Sequence, residues 1–201
     1  MIELFLIFFL ALSGSEAEAC SLNSILLLEN AALQFKDTIG TKLDGQKLTV
    51  VLEVQDPKVN AELTRKDNEL TIKVWGGMLK HQLINEETLL LLLCHEIGHF
   101  LGGPPTKAKG GWSSTEGQAD YFSSLRCARD VGLDEVSFYQ SAINLTRIYA
   151  SVTFSPEPRL EQYDTTIVIR TNFGYPSVQC RLDTLIAGWR KEVRPQCWFS
   201  Q

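Results

Sequence analysis

The residues best equipped for chemistry are Cys94-His95-Glu96-Ile97-Gly98-His99, which contain H-E-x-x-H. On a helix, positions i and i+4 share a face, so His95 and His99 can hold one metal ion between them. Glu96 sits beside them, placed to take a proton from an activated water. The chain has three histidines, and two fall in this motif. Burying two imidazoles and a carboxylate in an apolar helix costs several kcal/mol per unpaired group, roughly, unless something binds them.

A catalytic zinc takes three protein ligands and keeps one open position. A metzincin pattern would continue through a glycine to a third histidine. Gly102 fits the glycine, but Pro105 stands where the ligand should be. His81, in the loop after Met78-Leu79, reads as a surface residue. The third candidate is Glu116, in Ser113-Ser114-Thr115-Glu116-Gly117-Gln118-Ala119-Asp120. Glu116 and Asp120 are i and i+4 on a second helix. Glu116 can ligate, and Asp120 can accept a hydrogen bond from a ligating imidazole and fix its tautomer. Ser113-x-x-Glu116 also matches a capping box, in which Glu116 would only cap its helix. Cys94 points about 100° away from His95 on the helical wheel and is not counted as a ligand.

Several elements must carry these residues. Asn85 is a good N-cap, with Glu86 and Glu87 in the first turn. The helix runs from Thr88 to Leu101 and is apolar all round, so it is a buried helix. Gly102-Gly103-Pro104-Pro105 stops it. The second helix is expected over 115–130, capped by Ser113 or Ser114 and closed by Gly132. Further helices are expected over 22–36, 134–149 and from Ser177 to Gly188. Lys47–Val54 and Glu69–Trp75 read as strands, and TTIVIR (165–170) as a short one. Trp75-Gly76-Gly77 would end the strand that borders the cleft, where an edge can accept an extended peptide. The fold class is α+β, helix-rich, with a short mixed or antiparallel sheet bordering the site.

The 201 residues suit one domain, and the composition is that of an ordinary globular protein. The net charge is −5, with no basic block of the kind nucleic-acid binding requires. An apolar run from Leu4 to Leu12 and Ala17-Glu18-Ala19 read as a signal peptide over residues 1–19, leaving 20–201 as a single domain. Its n-region departs from the pattern, carrying Glu3 and no Lys or Arg. No later stretch is long enough to span a bilayer. The expected localisation is periplasmic or extracellular. Five cysteines are an odd number for an oxidising compartment. Cys20 would become the N-terminus and is a minority candidate for a lipid anchor. Cys94–Cys127 could tie the two site helices and Cys180–Cys197 the C-terminal tail, although connectivity is not readable from sequence.

HEIGH followed by E-x-x-x-D resembles the gluzincin metallopeptidases, above all the HtpX and CAAX-prenyl-protease group, over roughly residues 69–188. In that group a strand precedes the zinc helix, as ELTIKVW does here, and the second motif often reads E-x-x-A-D, which EGQAD fits. The resemblance implies a zinc peptidase with His95, His99 and Glu116 as ligands, Glu96 as general base and a peptide or protein as substrate. A late H-P-S…R motif corresponds to Tyr175-Pro176-Ser177…Arg181. Tyr175 stands where the family has His, and its hydroxyl could serve the developing oxyanion. Arg181 could orient that loop or pair with a carboxylate. Two departures are a spacing of only sixteen residues between His99 and Glu116 and the lack of the group's membrane helices. The competing reading is an exported, catalytically silent zinc-binding protein that acts through a protein partner.

Overall fold

A computed structural model describes residues 16–200, with side chains from residue 25 onward. Residues 1–15 of the expected signal peptide, and the side chain of Cys20, lie outside the described residues. The protein is a mixed α+β domain. Helix α1 (Glu16–Gly40) is followed by strands β1 (Lys47–Glu53), β2 (Ala61–Lys66) and β3 (Glu69–Trp75). A single turn α2 (Gly76–Leu79) leads to α3 (Glu86–Leu101). The second motif opens α4 (Glu116–Phe122), which runs through a π-helical turn (Ser123–Cys127) into α5 (Ala128–Asp130). Helices α6 (Glu135–Thr153) and α7 (Val178–Arg190) complete the described elements. None of the described helices is long and apolar enough to cross a membrane.

The sheet is mixed, in the order β1-β3-β2. Strand β3 pairs parallel to β1 and antiparallel to β2. Its alternation holds, with Leu70, Ile72 and Val74 fully buried. Because β3 is central, the strand that borders the cleft is β2 instead, and its residues 61–63 line the cleft. Strand β2 lacks an apolar alternation, reading AELTRK with one buried residue, so pattern reasoning passed over it.

Helix α3 packs against α1, α4, α6 and the sheet. Leu89, Leu90, Leu91, Leu92 and Leu93 are all buried. Each contributes about 1.5–3 kcal/mol relative to exposure. Asn85 caps the helix as expected, its Oδ1 accepting from the Thr88 N–H at 2.8 Å. Gly103, at φ +71°, turns the chain out of the helix in a conformation that favours glycine.

Two expectations are corrected. Thr115 is the N-cap residue of α4, without a side-chain bond, and the Ser114 hydroxyl instead donates to the Gly103 carbonyl at 2.7 Å. The capping-box arrangement is therefore not formed. TTIVIR forms no strand: residues 165–170 are irregular and largely exposed. The segment meets only the irregular C-terminal tail, by isolated bonds such as the Val168 N–H to the Gln196 carbonyl, so β-propensity has no strand partner to act on. Elsewhere the predicted helices grow by a few residues, to Gly40 at the end of α1 and Thr153 at the end of α6.

Both expected disulfides are present, Cys94–Cys127 and Cys180–Cys197. Each sits next to a residue singled out above, His95 or Arg181. Gly98 is where α3 and α4 approach most closely: a Cβ there would lie 2.8 Å from the Ala119 carbonyl oxygen. Gly98→Ala is therefore expected to push the two helices apart and cost about 1–3 kcal/mol. Urea unfolding checks this, and an unchanged midpoint would mean that the contact is loose.

Candidate metal centre

The end of α3 and the start of α4 are stitched together by backbone groups that a free helix end would leave unpaired. The Ser114 N–H donates to the His99 carbonyl at 2.7 Å. The Gln118 side-chain amide donates to the Gly102 carbonyl at 2.7 Å. This lacing, with the close Gly98–Ala119 contact, sets Glu116 above the two histidines. His95 Nε2 lies 3.4 Å from Glu116 Oε2, and His99 Nε2 lies 3.6 Å from Glu116 Oε1. One ligand atom from each of the three lies within 4.8 Å of the others, so His95, His99 and Glu116 form a group that could hold a metal ion. All three are buried.

Both imidazoles are oriented from behind. His99 Nδ1 lies 2.8 Å from the Ser114 carbonyl, which can only accept, so Nδ1 carries the proton and Nε2 keeps its lone pair. His95 Nδ1 lies 2.7 Å from Asp120 Oδ1, with the same result. This supplies the donor set a divalent ion needs: two free imidazole lone pairs and one carboxylate, each anchored.

Asp120 is fully buried and makes a bidentate pair with Arg181, with Nε to Oδ2 at 2.7 Å and Nη2 to Oδ1 at 2.8 Å. The structure thus gives Arg181 the carboxylate partner rather than a loop-orienting role. The guanidinium also stacks 4.0 Å above the Tyr149 ring.

Charge and burial compete throughout. Burial pushes Glu96 up to about 7, where it can accept and release a proton near neutrality. Burial pulls His95 down, but the Asp120 and Glu116 carboxylates outweigh it and raise the ring to about 9. His99 is lowered to about 4 by burial and by His95. Burial opposes ionisation of Glu116, yet His95 and Arg181 hold it well below the usual carboxylate range. Any metal ion must displace the proton from His95, as metal binding does generally.

The centre lies on the floor of a cleft of about 330 Å³. Strand β2 and residues 59–60 form one wall, and Tyr149, Val152 and Tyr175 another. Tyr175 is thus at the cleft, as its motif suggested, although it is 75% exposed on the rim. Tyr149 and Lys107 escaped the sequence reading. Lys107 Nζ lies 2.8 Å from Glu116 Oε1, and Tyr149 reaches the cleft from α6. A lysine in a polar loop and a tyrosine on a helix's buried face carry no distinguishing pattern. His81 is elsewhere, its Nδ1 accepting from the Leu83 N–H in a turn. A larger groove, of about 490 Å³, lies between α1 and residues 79–87, away from this chemistry. A second grouping of Asp164 with Cys180 and Cys197 is no metal site, because those sulfurs are joined to each other.

No family model, curated protein or solved structure matches this chain.

Arg181→Met would leave the Asp120 carboxylate buried with only His95 for company. Its expected cost is about 3–5 kcal/mol by urea unfolding. Adding Asp120→Asn should then cost less than the two single changes summed, because the pair acts as a unit. Simple additivity would show that Asp120 and Arg181 are energetically independent.

Proposed function

We propose that the chain is an exported zinc peptidase of the gluzincin kind, hydrolysing peptide bonds with Glu96 as general base. The observation that carries this reading is the convergence of His95 Nε2, His99 Nε2 and the Glu116 carboxylate on the floor of an open cleft with Glu96 beside them. Two imidazoles and one carboxylate are a zinc donor set, and three ligands facing a cleft leave a position open for substrate chemistry. The chemistry that zinc supplies in such a site is Lewis acidity toward water and a carbonyl.

The chain's own residues supply the rest. Strand β2 offers an edge along which an extended peptide can align by main-chain hydrogen bonds. Glu96 takes the proton of the attacking water and delivers it to the leaving amine nitrogen. Negative charge develops on the carbonyl oxygen, and a hydroxyl that donates to it most strongly at that moment raises turnover. Tyr149 and Tyr175 both line the cleft, and each carries a phenol hydroxyl that can donate. Burial keeps the Tyr149 phenol protonated, with pKa raised above its ordinary value despite Arg181. Asp120, held by Arg181, keeps the His95 ring turned toward the ligand position.

Export is supported by the two disulfides, which persist in oxidising compartments. A lipid on Cys20 would place the same domain at a membrane surface.

Glu96→Gln is expected to keep one zinc per chain and lose about 10²–10⁴-fold in hydrolysis of an unfolded protein. Glu116→Gln should weaken zinc by at least the roughly 10–100-fold that loss of an outer partner costs. Zinc held by a wild type that cleaves nothing would favour the silent binding protein. Zinc affinity untouched by Glu116→Gln would move the third ligand elsewhere.

A further inference from the structure

Glu116 occupies the first position of α4, and the start of that helix lacks its usual fastening. The N-cap residue Thr115 makes no side-chain bond, and its buried hydroxyl has no partner among the described residues. A capping side chain ordinarily contributes about 1 kcal/mol to holding a first turn. A metal ligand nevertheless has to be held to within about 0.5 Å. The bonds from Ser114 to His99 and from Gln118 to Gly102 tie one side of this turn to α3.

The other side meets the C-terminal tail. Glu116 and Asp120 share the face turned toward the candidate metal centre. Gly117 and Tyr121, one position on from each, therefore form the neighbouring face. Residues 192–199 cover that face. The Trp198 indole lies directly on Gly117, where a Cβ would stand 2.3 Å from its Cδ2. Arg194 Nε donates to Gln118 Oε1 at 2.7 Å, bracing the side chain whose amide reaches Gly102. The Tyr121 hydroxyl donates to the Glu192 carbonyl. Cys180, Cys197 and Trp198, with Tyr121 and Phe199 packed against them, make a small core separate from the main one. The tail is irregular but fixed. Cys180–Cys197 ties it to α7, and the Asn172 N–H donates to the Trp198 carbonyl at 2.7 Å.

We propose that residues 192–199 are a positioning clamp for Glu116, with Trp198 as its principal residue, and that the clamp sets zinc affinity by holding the carboxylate in place before the ion arrives. Trp198 touches neither the ion position nor the cleft and acts through Gly117 and the first turn of α4. The proposal rests on His95, His99 and Glu116 being zinc ligands, and it does not require that the protein cleave anything.

The test measures two quantities on the full chain: zinc Kd, by competition with a fluorescent chelator, and Tm of the metal-free protein. Trp198→Leu is compared with Phe35→Leu, which truncates a fully buried ring of the main core on α1. Trp198→Leu should weaken zinc by about tenfold, the low end of what the outer partners of metal ligands contribute. Phe35→Leu should lower Tm and leave zinc Kd unchanged. Gly117→Ala raises helix propensity, yet its Cβ meets the Trp198 ring, so it too should weaken zinc. Combined with Trp198→Leu it should cost less than the two changes summed, because the smaller side chain makes room. Should Trp198→Leu fail to fold, Arg194→Met loosens the same clamp more gently and should shift zinc Kd in the same direction by a smaller factor. Zinc affinity that is unchanged in the tail variants, or that falls equally in Phe35→Leu, overturns the clamp and leaves the tail as packing alone. A wild type that holds zinc but cleaves nothing sinks the peptidase reading while the clamp stands. A wild type that holds no zinc overturns both.

Discussion

Asp120 has two partners at once, and the candidate site is built around that sharing. One oxygen accepts from His95 Nδ1, and the two together grip the Arg181 guanidinium. A fully buried carboxylate is expensive unless its lone pairs are met. Here they are met by side chains from two other helices, His95 on α3 and Arg181 on α7, so the network joins three helices through α4. The ion pair therefore cannot form until those helices are in place. Once formed, it settles which way the His95 ring faces. A histidine whose Nδ1 proton is held from behind offers Nε2 to the cleft, and the Ser114 carbonyl does the same for His99.

The rest of the fold brings these helices close enough for that network. Small residues stand where backbones meet. Gly98 lies against Ala119, Gly117 takes the face of Trp198, and Gly188 sits on Ser124 and the Tyr121 carbonyl. Two disulfides close loops around the same contacts. By the chain-entropy model each contributes on the order of 3–4 kcal/mol through the unfolded state. The π-helical turn falls at this crowded place. There the Ser123 and Ser124 hydroxyls donate to the carbonyls of Asp120 and Tyr121 and so compete with the regular helical ladder. The wider turn carries Cys127 to Cys94, one residue from a histidine of the centre.

Much of this was legible in the residues because it rests on local periodicity. A buried leucine helix with an Asn cap and a Gly-Pro stop, two histidines four apart, and two carboxylates four apart each follow from helical geometry alone. The cysteine pairing was open in the sequence, where Cys94–Cys127 and Cys180–Cys197 were one possibility, and it is these pairs that the structure joins. What escaped depended on distant partners. Strand β2 is a polar edge strand recognisable only by the neighbour it pairs with. The segment 165–170 has strand residues but meets only an irregular tail, through single bonds at Val168 and Ile169, so no ladder forms. Tyr149 and Lys107 belong to the cleft because α6 and the 102–115 loop deliver them there. Arg181 kept two readings until a buried carboxylate was found within 2.7 Å of it.

The central claim is that His95, His99 and Glu116 are the protein ligands of one zinc ion. X-ray absorption at the zinc edge, on protein purified without chelator, tests it most directly. The account predicts one zinc per chain with a nitrogen and oxygen shell at about 2.0–2.2 Å and the outer scattering of two imidazoles. A sulfur scatterer at about 2.3 Å, or protein free of zinc, would contradict it.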